Sequence, residues 1–180
     1  MKLNAKQKVL ILGLAGLLPV LNEVNSFAAS FNDSKPTKEI VVEVDPLDKY
    51  RGATELSNKE LVDLLSQVGF EGKSLKLAWA VVMRESRGNP TSHNDTASTG
   101  DNSYGLFQIN MIGGLGEDRR AKFRIEKNSE LFDPVTNAKA AFYMSAKGTN
   151  FGSWGLGPDA YDGTPEESSI TIWLDKFPEQ

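Results

Sequence analysis

The sequence predicts a single, mainly α-helical globular domain that follows an N-terminal segment of different character. Three stretches, beginning near residues 57, 73 and 133, carry apolar residues at helical spacing next to helix-start signals. The chain has 180 residues, enough for one domain with a proper core and an appendage. Apart from its N-terminus, the composition is typical of a globular protein.

The first well-defined helix begins after Ser57. The segment Ser57-Asn58-Lys59-Glu60 forms a capping box, with Ser57 as the N-cap and Glu60 three residues later. The apolar stripe of this helix consists of Leu61, Leu64, Leu65 and Val68. We expect Gly69 or Gly72 to end the helix.

The second helix, predicted over residues 73–86, carries an acid on its apolar face. Ala78, Val81, Val82 and Glu85 are spaced i, i+3, i+4 and i+7, and Pro90 follows closely. Partial burial and the negative end of the helix dipole both favour the protonated form of such an acid, which can then donate a proton. The alternative is a helix-end acid that reaches solvent or pairs with Arg84 or Arg87.

The remaining elements are shorter. We interpret Gly113, Gly114 and Gly116 as a flexible turn and residues 117–125 as a charged helix. Asp133 and Pro134 are an N-cap and a first helical residue. A capping signal at Thr164 starts a C-terminal helix, which Trp173 and Phe177 would dock onto the domain.

Several functional classes are excluded or disfavoured by composition. The chain has no cysteine, so it has neither disulfides nor a thiolate metal site, and His93 is its only histidine. The Asp- and Asn-rich residues 91–102 lack the EF-hand spacing. The net charge is −4 and no basic cluster is present in the sequence, so we expect no nucleic-acid partner. Because the common metal-ligand patterns are missing, we also expect no metal. We expect no cofactor.

The N-terminus has the pattern of an export signal. Lys2, Lys6 and Lys8 precede an uncharged run over residues 9–21, and small residues follow at 26–29. We predict a signal peptide over 1–29, or alternatively an uncleaved membrane anchor, then a polar linker over 30–55 and the domain over 56–180. The protein would be secreted or held in the cell envelope, with membrane contact only through this segment.

Two motifs resemble those of the lytic transglycosylase and goose-type lysozyme family, whose members cut peptidoglycan glycan strands. One is Glu85-Ser86 at a helix end, and the other is Ser103-Tyr104-Gly105-Leu106-Phe107-Gln108 about twenty residues later. The resemblance covers roughly residues 60–155. It implies a lysozyme-like α+β fold, Glu85 as the catalytic acid, and glycan strands as the partner of a monomeric enzyme.

The resemblance also implies a set of substrate-binding residues. Ser103, Tyr104, Gln108 and Asn110 would bind or orient the sugars. Asn137-Ala138 followed by Tyr143 resembles the third motif of the family, in which the Tyr approaches the catalytic acid; the alternative is core packing. Where most relatives have Ala-Tyr-Asn-Ala-Gly, this chain has Trp154, as in some phage-type relatives, either as a sugar-facing ring or as part of the core.

Three functional readings follow from the resemblance. A lytic transglycosylase needs only Glu85 and forms a 1,6-anhydro ring on the muramyl sugar. A hydrolytic lysozyme usually needs a second carboxylate, for which Asp95 and Asp101 are the candidates. An inactive wall-binding or virion structural domain is the reading without catalysis, and the source would be a bacterium or a phage.

Overall fold

The computed structural model describes residues 8–9, 42–157 and 168–178. The chain divides into two compact units, Met1–Pro46 and Leu47–Gln180. In the first unit, strand β1 (Lys8–Val9) pairs antiparallel with β2 (Val42–Glu43). The rest of the predicted signal segment and the predicted helix cap at Thr164 lie outside the described residues.

The second unit is mainly helical, as the sequence predicts. Its helices are α1 (Asn58–Val68), α2 (Gly72–Glu85), α3 (Gly113–Phe123), α4 (Pro134–Met144) and α5 (Ser168–Leu174). Strands β3 (His93–Asn94), β4 (Ser103–Tyr104) and β5 (Ile109–Asn110) form a small antiparallel sheet between α2 and α3 in the chain. The predicted mainly α, α+β fold is therefore confirmed.

Helix α2 is the central element of the core. It packs against both α1 and α5, while α1 also packs against α4. Its buried residues surround most of the central part of the helix rather than forming one stripe. These residues are Leu75, Leu77, Ala78, Trp79, Ala80, Val81 and Val82.

The start and end of α1 agree with the prediction. The Ser57 side chain accepts a hydrogen bond from the backbone N–H of Glu60, and the Glu60 carboxylate accepts one from the N–H of Ser57. Gly69 ends the helix with φ 123°, a conformation that favours glycine. Asp133 likewise caps α4, with Pro134 as its first residue.

The glycine-rich segment after Ile112 is not the flexible turn that the sequence predicted. Gly113, Gly114 and Gly116 form the first turn of α3, and the Gly116 N–H donates to the carbonyl of Ile112. A Cβ atom at Gly116 would overlap the carbonyl of Met111. Close backbone approach, rather than freedom of movement, therefore accounts for this glycine.

The globular unit begins at Leu47, inside the segment predicted as a linker over 30–55. Leu47 and Tyr50 are buried in the core. The Tyr50 hydroxyl donates to the carboxylate of Asp63 on α1, and the N–H of Gly52 donates to Asp133. These contacts connect the segment before α1 to both α1 and α4.

The C-terminal helix docks on α2, as its aromatic residues predict. The rings of Trp173 and Phe177 lie edge-on to Trp79, with centroids 6.4 and 5.6 Å away. The Arg87 guanidinium lies over the Trp173 ring, with its carbon atom 4.6 Å from the ring centroid.

None of the helices in the described ranges combines the length and the apolar character that crossing a bilayer requires.

Candidate active site

Glu85 is the last residue of α2 and continues its buried face. Val81 and Val82, one turn earlier, are fully buried, whereas the Glu85 side chain is 26% exposed. The next residue, Ser86, is buried and its hydroxyl donates to the carbonyl of Val82. The end of the core helix thus places one carboxylate at the border between the core and solvent.

Arg84 holds this carboxylate. Its Nε and Nη2 atoms donate to Oε1 of Glu85 at 2.9 and 2.7 Å. Among the described residues, both hydrogen bonds to this carboxylate end on Oε1, and none reaches Oε2. The sequence offered pairing with Arg84 as an alternative for Glu85, and the structure contains this pair together with the partly buried position.

Arg84 also connects Glu85 to a distant part of the chain. Its Nη2 donates to the carbonyl of Trp154 at 2.5 Å, in the 3-10 turn Gly152–Trp154. The indole N–H of Trp154 donates to the carbonyl of Phe107 at 2.9 Å. The Glu-Ser motif, the Trp turn and the Ser-x-Gly-Leu-Phe-Gln segment are therefore joined by hydrogen bonds.

The Trp154 ring does not face solvent, contrary to its prediction as a sugar-facing ring. The residue is 8% exposed, and its ring packs against Phe107 and Phe151 at centroid distances of 5.5 and 5.9 Å. With its N–H also satisfied inside the protein, Trp154 takes the alternative role of a core residue. Trp154 contributes to the candidate site through its carbonyl, which accepts the hydrogen bond from Arg84, and not through its ring.

Asn137 on α4 is a further junction of this network. Its side-chain oxygen accepts the N–H of Phe107 at 3.0 Å, and its Nδ2 donates to the carbonyls of Tyr104 and Leu131 at 2.8 and 2.9 Å. Gly105 lies against it with φ 71°, where a Cβ would overlap Nδ2 of Asn137 and the Leu131 carbonyl. The fully buried Asn137 thereby fixes the backbone on both sides of Gly105.

Ser103 and Asp101 stabilise the β3–β4 hairpin. Ser103 is buried, and its hydroxyl donates to Oδ1 of Asp101, whose Oδ2 accepts from Nδ2 of Asn94 at 2.5 Å. Both carboxylate oxygens of Asp101 are therefore engaged within the hairpin. Asp95, the other candidate for a second carboxylate, is exposed in the same loop.

Tyr104 belongs to a partly exposed aromatic cluster. Its ring centroid lies 4.4 Å from that of His93, with the two planes tilted by 33°, and 5.2 Å from that of Phe132. The ring of Tyr104 is half-buried, and that of His93 is exposed. This cluster offers ring faces of the kind that stack on sugars.

Gln108 lies in a turn, not in an extended strand with its side chain alternating outwards. Its φ is 45°, and its Nε2 donates to the carbonyls of Ser92 and Gly105 at 3.0 and 2.9 Å. The side-chain amide therefore joins the loop after α2 to the turn between β4 and β5. An extended strand would turn Gln108 away from its apolar neighbours Phe107 and Ile109, but this turn lacks strand geometry.

Asn110 is likewise held by backbone groups. Its side-chain oxygen accepts the N–H of Ile112 at 3.0 Å, and its Nδ2 donates to the carbonyl of Gly100 at 3.3 Å. The Asn110 carbonyl accepts a hydrogen bond from Arg119 of α3. Burial lowers the pKa of the Arg119 guanidinium from its usual range.

Tyr143 is neither a core residue nor a contact of Glu85 in this structure. It is 62% exposed, and its ring meets Phe123 edge-on at 6.3 Å. It lines a hollow formed by the end of α3, the segment that follows and α4. Asn137 and Tyr143 lie on different faces of α4, as their spacing along the helix indicates.

The sequence did not predict the structural roles of two site residues. It indicated Arg84 only as a possible partner of Glu85, and Asn137 only as the start of a family motif. Their roles depend on partners 70 and 33 residues away, the carbonyls of Trp154 and Tyr104. A basic residue directly before the candidate acid and a single Asn in an apolar helix were the only available signals.

Comparison with known families assigns the domain that carries this site to one family. Residues 62–156, just over half of the chain, match an SLT-type family described as a lysozyme-like domain, and the chain belongs to this family. The protein is therefore a lysozyme-like glycosidase domain, with peptidoglycan as its class of substrate. Searches of curated proteins and of solved structures gave no match.

Proposed function

We propose that the protein is a lytic transglycosylase that uses Glu85 as its only catalytic carboxylate. The observation that carries the proposal is the position of Glu85 at the end of the buried helix α2, with Oε1 held by Arg84 and Oε2 without a partner among the described residues. A carboxyl group with one fixed and one available oxygen can give a proton to a leaving oxygen and take one back.

The reaction needs no enzyme nucleophile. Glu85, once protonated, would donate its proton to the glycosidic oxygen between N-acetylmuramic acid and N-acetylglucosamine as that bond breaks. The carboxylate would then take the proton of the 6-hydroxyl group of the muramyl sugar while O6 attacks C1. The products are a free 4-hydroxyl group and a 1,6-anhydro ring, no water is consumed, and the proximity of O6 supplies much of the rate.

The hydrogen bonds of the Asp101 carboxylate favour this mechanism over hydrolysis. Inverting and retaining glycosidases need a second carboxylate across the scissile bond. Both oxygens of Asp101 are engaged by Ser103 and Asn94, so it is suited to holding the hairpin and poorly suited to activating water. The aromatic cluster around Tyr104 would bind sugar faces, while Ser103, Gln108 and Asn110 would shape the backbone of the site.

Glu85→Gln tests this assignment. The amide keeps the size of the side chain but cannot transfer a proton, so the rate of peptidoglycan clearing should fall roughly 10²–10⁴-fold. Glu117→Gln, an exposed residue on α3, removes the same charge and should leave the rate unchanged. Circular dichroism of both variants checks folding, and a folded Glu85→Gln protein with wild-type activity would sink the assignment.

Mass spectrometry of the soluble products distinguishes the remaining functions. The proposed reaction releases fragments with 1,6-anhydromuramyl ends. Fragments with reducing ends would identify a hydrolytic lysozyme instead, and would point to Asp95 as the carboxylate to mutate next. No release of fragments by folded wild-type protein would identify an inactive binding or structural domain.

A further inference from the structure

A hollow lies between the C-terminal end of α3 and one face of α4. Lys122 and Arg124 line it from the end of α3, and Thr136, Lys139 and Tyr143 line it from α4. Residues 136, 139 and 143 are three and four positions apart, so they lie on one face of the helix. Glu85, Arg84 and Trp154 are not among its lining residues.

The hollow concentrates positive charge on an acidic chain. Lys122, Arg124 and Lys139 are exposed, and none of them forms an ion pair among the described residues. The lining contains one acid, Glu130, whose Oε1 accepts the backbone N–H groups of residues 126 and 127 at 2.7 and 2.8 Å. Three basic groups thus line the hollow with one carboxylate, of which one oxygen is engaged, although the whole chain has a net charge of −4.

An exposed aromatic ring lies beside these charges. Tyr143 is 62% exposed, while its ring is held edge-on by Phe123. Exposed rings of this size add an apolar face to a binding site, and the phenol adds a hydrogen-bonding group. The combination suits a ligand with negative groups next to a sugar or aliphatic surface.

We propose that this hollow binds the stem peptides of peptidoglycan through their carboxylates. Lys122, Arg124 and Lys139 would pair with the carboxylates, and Tyr143 would pack against adjoining methyl groups or sugar rings. Mobile lysine ammonium groups suit carboxylates on a flexible peptide, because they act as point charges without a fixed geometry. The inference rests on the proposed function, since that function makes peptidoglycan the substrate.

The test compares the double variant Lys122→Gln/Lys139→Gln with protein that is wild type at these two positions, and both proteins also carry Glu85→Gln so that no strand is cleaved during the binding assay. Isothermal titration calorimetry would use glycan strands that carry their stem peptides and the same strands after enzymatic removal of the peptides. Wild type should bind the peptide-bearing strands about three- to tenfold more tightly than the variant, the range expected for two solvent-exposed charge pairs. The two proteins should bind peptide-free strands equally.

Two controls make the result specific. Lys59→Gln/Lys147→Gln removes two exposed lysines from other parts of the domain and should bind both substrates like wild type. The advantage of wild type over Lys122→Gln/Lys139→Gln should shrink as salt rises from 50 to about 500 mM, because screening weakens exposed charge pairs.

The outcomes separate this inference from the proposed function. Peptide-dependent binding that needs Lys122 and Lys139, even in a protein that cleaves nothing, would support the inference while the proposed function fails. Cleavage together with equal binding of both substrates by both proteins would overturn the inference and leave the function intact. Lysine-dependent binding of a polyol-phosphate polymer, with none for peptide-bearing strands, would also overturn the assignment to carboxylates.

Discussion

At the scale of single residues, Gly105 is the most tightly constrained position in the family motif Ser103–Gln108. Two independent requirements meet there. Its φ of 71° favours glycine, and a side chain would overlap both Asn137 and the Leu131 carbonyl. The glycine of the motif is therefore explained by its positive φ and by its packing against Asn137 and the Leu131 carbonyl.

Gly105→Ala should destabilise the domain by at least about 3 kcal/mol, because a buried hydrogen-bonded Asn and a backbone carbonyl must move. Gly52→Ala is the matched control. Gly52 has a similar φ of 67° but has no atom within 4 Å of an added Cβ, so only the backbone term of about 1–2 kcal/mol applies. Urea unfolding measures the free energy of unfolding of both variants. If the two variants lose the same free energy, the overlap at Gly105 is relieved without cost, which would contradict this prediction.

For Glu85, the sequence predicts the helix face but not the partner of the carboxylate. Helical periodicity correctly placed it on the buried face of α2, because periodicity is a local property. The partner of its carboxylate was left open between solvent, Arg84 and Arg87. That choice depends on the Trp154 carbonyl, which holds the guanidinium of Arg84 in place.

At the scale of elements, the turn between β4 and β5 is held from two sides. Asn137 fixes it from α4, and Gln108 fixes it to the loop after α2. The predicted role of Gln108 in sugar binding stays a prediction, while its hydrogen bonds to the Ser92 and Gly105 carbonyls give it a structural role as well.

Gln108→Ala should therefore lower stability by about 1–2 kcal/mol, since two backbone carbonyls lose a donor. Activity per folded molecule should also fall, because the neighbouring Tyr104 cluster loses its fixed position. Thermal unfolding and peptidoglycan clearing, measured on the same preparation, report the two effects. A lower rate with an unchanged melting temperature would instead indicate that the side chain acts only on substrate.

The segment before α1 contains a pH-dependent contact. Asp63 accepts hydrogen bonds from Tyr50 and from Lys49, whose ammonium lies 2.7 Å away. Burial opposes the charged form of Asp63, but the hydrogen bonds from Lys49, Tyr50 and Gln67 together with the charge of Lys49 outweigh it and hold the pKa of Asp63 below its usual range. The hydrogen bond to Asp63 correspondingly raises the pKa of Lys49 to about 12.

A carboxylate whose pKa is lower in the folded state stabilises the fold above its unfolded pKa, and this contribution is lost as pH falls through the folded pKa. Asp63→Asn should therefore lower the free energy of unfolding at pH 7 but make little difference at an acid pH below the lowered pKa of Asp63. Urea midpoints at both pH values measure this, with the exposed Asp118→Asn as control. A deficit that persists unchanged at low pH would contradict an electrostatic origin.

At the scale of the whole molecule, one network of hydrogen bonds joins the family motifs. It runs from Glu85 through Arg84, the Trp154 turn and Phe107 to Asn137. Because each link is made between different elements, the position of the candidate acid depends on the packing of α2, α4 and the turn at residues 152–154. Damage to any of these elements should therefore reduce activity without touching the acid.

The N-terminal segment gives the remaining prediction for the whole chain. Its basic start, apolar run and small residues predict export and cleavage near Ala28 or Ala29. N-terminal sequencing of protein recovered from the medium or envelope should start near Ala29 or Ser30. Intact protein beginning at Met1 in the membrane fraction would favour an anchor instead.

The sequence by itself determined where α1 and α4 begin, the extent of α2 to within one residue, the docking of α5, and the family to which the domain belongs. These features depend on caps, periodicity and short motifs, all read within a few neighbouring residues. Only the tertiary structure decided that Trp154 is buried, that Tyr143 is exposed beside three basic residues, and that Arg84 holds Glu85. The physical reason is separation along the chain: the partners of Trp154 and Arg84 lie 47 and 70 residues away, and no local pattern specifies which distant backbone carbonyl a side chain will meet.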